Sequence, residues 1–217
     1  MNPFPYNFIA IEGNIGAGKT TLCEMLKVEY NCGLILEQFT DNPFLPYFYE
    51  NKERYGFQVE LFFMTERHKQ LQESHSQPDL FSDFLISDYI YIKTLLFAKK
   101  NLIEEEYRLF SHLFNVLYAS FPKPELLVYL HRPVDSLLEN IKKRGRDMEN
   151  HIDAEYLTLI QTAYFDYFKS QPNLPILFIE VEDFNFIDDQ TLYEKIKSLI
   201  ATKYENGVHR INIKNNN

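Results

Sequence analysis

The chain has 217 residues, 45% of them hydrophobic and 16% aromatic, and carries a formal net charge of −9. That length suits one α/β domain with a single core, or at most a domain with a small lid. The acidic balance argues against a nucleic-acid partner, which requires a dominant basic face, and no run of residues approaches membrane-spanning length. Cys23 and Cys32 are the only cysteines and have no C-x-x-C or histidine spacing, so they read as buried thiols of a reducing compartment. With no secretory-type leader pattern, the expectation is a soluble cytoplasmic protein.

The first apolar run, 7–12, leads directly into Gly13-Asn14-Ile15-Gly16-Ala17-Gly18-Lys19-Thr20, a complete G-x-x-x-x-G-K-[ST] phosphate loop. A helical pattern over 19–30 follows, and strand, glycine loop and helix in that order are the context the motif requires. Backbone N–H groups and the helix N-terminus point at phosphate oxygens. Lys19 can reach the β- and γ-phosphates, and Thr20 can offer its hydroxyl to Mg²⁺. Further strands are expected at 33–37, 84–87, 125–130 and 175–181. Helices are expected at 44–52, 55–76, 90–119 (broken near Asn101), 134–144, 153–170 and 188–203. Short apolar runs alternating with helical patterns predict a five-stranded parallel sheet flanked by helices, a three-layer P-loop fold. Residues 1–204 form the single domain, and 205–217 read as a flexible tail.

Ligands of open α/β sheets sit beyond the carboxyl ends of the strands. Glu37 follows the second strand, Asp88 the third and His131-Arg132 the fourth. Asp88 also stands where it could cap the helix after it. Glu37 has a weaker alternative use of that kind, and the expected topology puts it and the phosphate loop at the ends of neighbouring strands, where a general base for an attacking hydroxyl belongs. Arg144 and Arg146, two apart around Gly145, suit a mobile arm at about 143–152 that closes positive charge over transferring phosphate. Lys142 and Lys143 read instead as a basic helix end favoured by the macrodipole.

In order and spacing these motifs resemble the deoxyribonucleoside kinase family, the bacterial deoxyadenosine and deoxyguanosine kinases above all. The likeness covers Gly13–Thr20, Glu37, Tyr49-Glu50 with Glu53-Arg54-Tyr55, Phe57-Gln58, Arg144-Gly145-Arg146-Asp147-Met148-Glu149 and Glu182-Asp183-Phe184. It implies a P-loop kinase with ATP as phosphate donor, Mg²⁺ held by Thr20 and Asp88, and Glu37 as catalytic base. Lys19, Arg144 and Arg146 then act on the moving phosphoryl group, and Glu182, Asp183 and Phe184 pack on the donor adenine. The acceptor is the 5′-hydroxyl of a deoxynucleoside, with Tyr49 and Glu149 at its 3′-hydroxyl and Phe57 and Gln58 at its base. The segment 38–45 resembles the purine-preferring branch, so deoxyadenosine is expected. A homodimer is implied by the family alone.

The family usually carries an acid followed by arginine after its third strand. Here the chain reads Ser87-Asp88-Tyr89, with no arginine from 82 to 107. Asp88 is expected to serve as the acid, and Arg67 to supply the missing positive charge. Two alternatives stay open. One is a thymidylate-type nucleoside monophosphate kinase, for which Arg54, Arg67 and Lys93 could hold a second phosphate. The other is a non-catalytic nucleotide-binding module.

Overall fold

In the computed structural model, residues 2–37, 42–76, 81–119, 121–149, 151–181 and 189–213 are described. The strands are β1 (Phe8–Gly13), β2 (Cys32–Ile35), β3 (Phe84–Ser87), β4 (Leu126–His131), β5 (Pro175–Val181) and β6 (Gly207–Ile213). The helices are α1 (Lys19–Glu29), α2 (Leu45–Glu50), α3 (Lys52–Ser76), α4 (Lys93–Asn101), α5 (Glu104–Tyr118), α6 (Val134–Arg144), α7 (Ala154–Lys169) and α8 (Gln190–Ile200), with a short 3₁₀ turn at Asp147–Glu149.

All strand pairs are parallel, in the order β2-β3-β1-β4-β5-β6, so β3 lies between β1 and β2, and the strands that lead to the phosphate loop and to Glu37 are not the neighbours expected. The central strands read as unbroken apolar runs because helices cover both their faces. Ile9, Ala10 and Ile11 of β1 and Leu126, Leu127 and Val128 of β4 are wholly buried. The chain works outward from β1 in both directions, so the carboxyl end of β1 is the switch point where a ligand crevice opens. Local signals set the helix ends: Asp153 and Asp189 accept from Tyr156 N–H and Leu192 N–H as N-caps of α7 and α8. The expected helical run 90–119 is broken where Ile103 adopts extended backbone before α5.

The sheet has six strands rather than the expected five, and the sixth comes from the segment read as a frayed tail. Exposure alternates along it, with Val208, Arg210 and Asn212 outward, as in an edge strand with one covered face. Val208 is exposed whereas Ile213 is buried. Docking is completed by the Arg210 guanidinium over the Phe178 ring and by Asn212 donating to the Glu180 carboxylate. Upstream, Tyr204 N–H donates to the Tyr6 hydroxyl.

Candidate active site

The phosphate loop closes over the end of β1. Gly16 has φ 84, and a side chain there would meet the Leu137 carbonyl oxygen at 2.8 Å, so only glycine lets the loop sit this close to α6. Asn14 donates to Leu157 O at 2.8 Å, and Asn140 donates to Gly16 O at 2.9 Å, fixing the loop from α7 and α6. Arg132, after β4, donates to Ala17 O at 3.2 Å. The Lys19 ammonium donates to Asn14 O at 3.0 Å. Burial, followed by the nearby Lys93 cation, lowers its pKa to about 8. An anionic ligand between loop and ammonium would relieve both effects.

Asp88 joins three elements. Its Oδ2 accepts from Thr20 Oγ1 at 2.5 Å, and its Oδ1 accepts from Glu37 N–H at 2.7 Å. The buried acid after β3 therefore holds the first residue after the phosphate-loop lysine and the strand end bearing Glu37 in one frame.

Glu37 is almost wholly enclosed. Arg67 donates to Oε1 through Nε at 2.8 Å and also through Nη2, while the Lys93 ammonium donates to Oε2 at 2.7 Å. Arg67 Nη1 in turn donates to Thr94 Oγ1 at 2.8 Å. Burial alone would push the Glu37 carboxyl up, but the two cations outweigh it and hold the group far below the usual carboxylate range. Arg67 of α3 and Lys93 at the start of α4 thus both place positive charge on Glu37. Arg54, by contrast, is exposed on the outer side of α3.

These groups line a cavity of about 720 Å³ with Lys19, Thr20, Tyr49, Asp88, Arg144, Arg146 and Glu149. Phe48, Phe63, Phe97 and Tyr156 form its apolar wall. The arginine-bearing arm is drawn back onto its own acid. Arg144 donates to Glu149 Oε2 through Nε at 3.1 Å and through Nη2, and Arg146 pairs with Oε1 at 3.5 Å. Gly145 ends α6 in the left-handed region between them.

Two expected base contacts fall elsewhere. Gln58 is exposed, and the Phe57 ring meets Phe110 of α5, so neither lines the cavity. Glu60 does, almost wholly buried, with Asn101 Nδ2 donating to its Oε1 at 2.6 Å. Helical geometry contains the reason. Gln58 and Arg67 are nine residues apart, about half a revolution at 100° per residue, whereas Glu60 and Arg67 are seven apart and share a face. Glu182, Asp183 and Phe184, and residues 38–41 of the purine-branch segment, lie outside the described residues.

Residues 9–204 match the family model described as deoxynucleoside kinase. The chain is 34% identical over 200 residues to a deoxyguanosine kinase of Bacillus subtilis, covering 90% of this chain and 96% of that one. It is 30% identical over 194 residues to a deoxyadenosine kinase of Dictyostelium discoideum, covering 88% and 78% of the two chains. A solved deoxyadenosine kinase from M. mycoides with bound dATP superposes with a TM-score of 0.74 at 23% identity, over 90% of this chain and 99% of that one, which shows the shared fold. On the extent of the family match and the 34% identity, the chain belongs to the deoxynucleoside kinase family.

Proposed function

We propose that the protein transfers the γ-phosphoryl group of ATP to the 5′-hydroxyl of a purine deoxynucleoside. The observation that carries this reading is the position of Glu37, a carboxylate on the wall of one cavity with the phosphate-loop Lys19 and the arm arginines Arg144 and Arg146. The 5′-oxygen attacks the γ-phosphorus as its bond to the β-bridging oxygen breaks, and the hydroxyl proton passes to Glu37. A carboxylate clamped by Arg67 and Lys93 is a weak base, so it serves chiefly to orient the hydroxyl and receive the proton late. Such a role fits a loose phosphoryl-transfer transition state, where positioning and electrostatics supply most of the acceleration.

Lys19, Arg144 and Arg146 would neutralise charge on the transferred group once the arm swings from Glu149. Freed of the arginines, Glu149 would accept from the 3′-hydroxyl beside Tyr49. Thr20 and Asp88 suit Mg²⁺, which commonly takes one or two protein oxygens and completes its shell with phosphates and water. The ion would offset charge between the β- and γ-phosphates. A hydroxyl acceptor is favoured over a monophosphate because Arg67 and Lys93 are committed to Glu37 and Arg54 faces solvent. The purine preference draws support from relatives named deoxyguanosine and deoxyadenosine kinases. We propose a homodimer as well, supported by the exposed apolar residues Leu109 and Val116 on α5.

ATP consumption measured with each of the four deoxynucleosides, and with their monophosphates as controls, tests the reading. Turnover with a purine deoxynucleoside is expected. Turnover confined to the monophosphates would replace it with a monophosphate kinase, and none at all with a non-catalytic module.

A further inference from the structure

Glu60 is a buried acid with only part of its bonding capacity in use. Asn101 donates to Oε1 at 2.6 Å, and no protein group among the described residues donates to Oε2. It lines the cavity from the same face of α3 as Arg67, two turns away. At 1.5 Å rise per residue the two lie roughly 10 Å apart along the axis. With Arg67 fixed on Glu37, where the 5′-hydroxyl would react, Glu60 stands where the far edge of a bound nucleobase would end.

We infer that Glu60 reads the nucleobase, and that its carboxylate selects guanine, with its adjacent ring N–H and 2-amino donors, over adenine. The inference rests on the deoxynucleoside kinase reading above. An ionised carboxylate only accepts hydrogen bonds. Guanine offers two neighbouring donors on its pairing edge, whereas adenine and cytosine each offer one donor beside one acceptor. Thymine places a single N–H between two carbonyls. A bidentate acceptor therefore matches guanine and leaves an acceptor facing an acceptor with any of the others.

The protonated acid behaves differently, since a carboxyl O–H beside a carbonyl oxygen matches the donor–acceptor edge of adenine. Burial is the main influence on Glu60 and raises its pKa to about 7. The Asn101 hydrogen bond, Arg67 and Lys93 oppose that rise, and the Glu37 carboxylate adds to it. Tyr49 of α2 and Tyr156 of α7 also face it, as phenols whose own ionisation burial pushes up, with the Lys52 ammonium over the Tyr156 ring. Base choice in this site is thus tied to pH.

The test is the ratio of kcat/KM for deoxyguanosine over deoxyadenosine. Both substrates share the chemical step, so pH effects on the rest of the site cancel. In the wild type the ratio should rise about tenfold or more from about pH 6 to about pH 8.5, across the Glu60 transition. Glu60→Gln presents a fixed donor and acceptor of the same shape and can still accept from Asn101. Its ratio should fall about 100-fold at the higher pH and become independent of pH. Should that variant fold poorly, wild-type enzyme with deoxyinosine, which lacks only the 2-amino group, provides a second readout. Deoxyinosine should be at least about tenfold poorer than deoxyguanosine, since one carboxylate oxygen loses its partner. A pH-independent wild-type ratio, an unchanged ratio in a folded Glu60→Gln, or deoxyinosine equal to deoxyguanosine would each overturn the inference. Wild-type enzyme inactive on every deoxynucleoside would instead overturn the kinase reading on which it rests.

Discussion

Replacing Glu60 by glutamine should stabilise the protein at alkaline pH. The side chain keeps its shape and its acceptor for Asn101, but it can no longer ionise in the interior. Burial raises the pKa of this carboxyl from its ordinary 4.5 to about 7 in the folded chain. A folded pKa raised above the unfolded one gives stability that is fully present below about pH 4.5 and is lost as pH climbs to about 7. At about 1.4 kcal/mol per pKa unit, the wild type loses up to about 3 kcal/mol across that window through this group alone. Urea unfolding of both proteins from about pH 4.5 to about pH 8.5 measures the difference, with every other titrating group common to the pair. The variant's advantage should grow with pH and level off above about pH 8, once Glu60 is ionised in both states. A difference that does not vary with pH would show that Glu60 is not a strained carboxylate and would refute the reasoning.

Glu37→Gln should retain nucleoside binding while kcat falls about 10²–10⁴-fold, the usual weight of a positioned proton acceptor; unchanged kcat would remove Glu37 from that role. Arg67→Ala leaves the Glu37 carboxylate with Lys93 alone in a buried site. It should cost about 3–5 kcal/mol in unfolding free energy as well as turnover, and a variant with normal stability, kcat and KM would refute its assignment. Gly56→Ala opposes two effects: alanine improves helix propensity by about 1 kcal/mol, but its Cβ would sit 2.8 Å from the Asn101 carbonyl oxygen at the close crossing of α3 and α4. Overpacking of this kind costs about 1–3 kcal/mol. A net loss of stability is therefore expected in thermal unfolding, and a more stable variant would count against so tight a crossing.

Much of the fold was readable because its signals are local. Alternating apolar runs and helical patterns placed the first five strands and every long helix close to their observed bounds, and the phosphate loop carried its own strand and helix. The sixth strand was not readable in the same way. Its polar residues resemble a solvated tail until β5 supplies an edge and Tyr6 an anchor, both distant in sequence. Glu37, Asp88, Arg67 and the arm arginines, which line one cavity, are each marked in the sequence by a strand end, a helix position or a spacing. Gln58 rests on a two-residue likeness, whereas helical rotation sets it on the opposite side of α3 from Arg67. From sequence Lys93 reads only as a partner for a second phosphate, because nothing in its neighbourhood shows that β2 ends beside it.

By itself the sequence determined the chemistry available: a phosphate loop, acids at the ends of two strands and a basic arm, each encoded within a few residues. Tertiary structure decided how those groups are used. The depressed Glu37 and the raised Glu60 are both buried carboxylates, and the main difference between them is that cations pair directly with Glu37 and not with Glu60. Arg67 and Lys93, 26 residues apart in sequence, converge on one and leave the other to a neutral amide. Burial is costly for a charge unless partners offset it, and only packing of α3 against α4 at the end of β2 settled which acid received them.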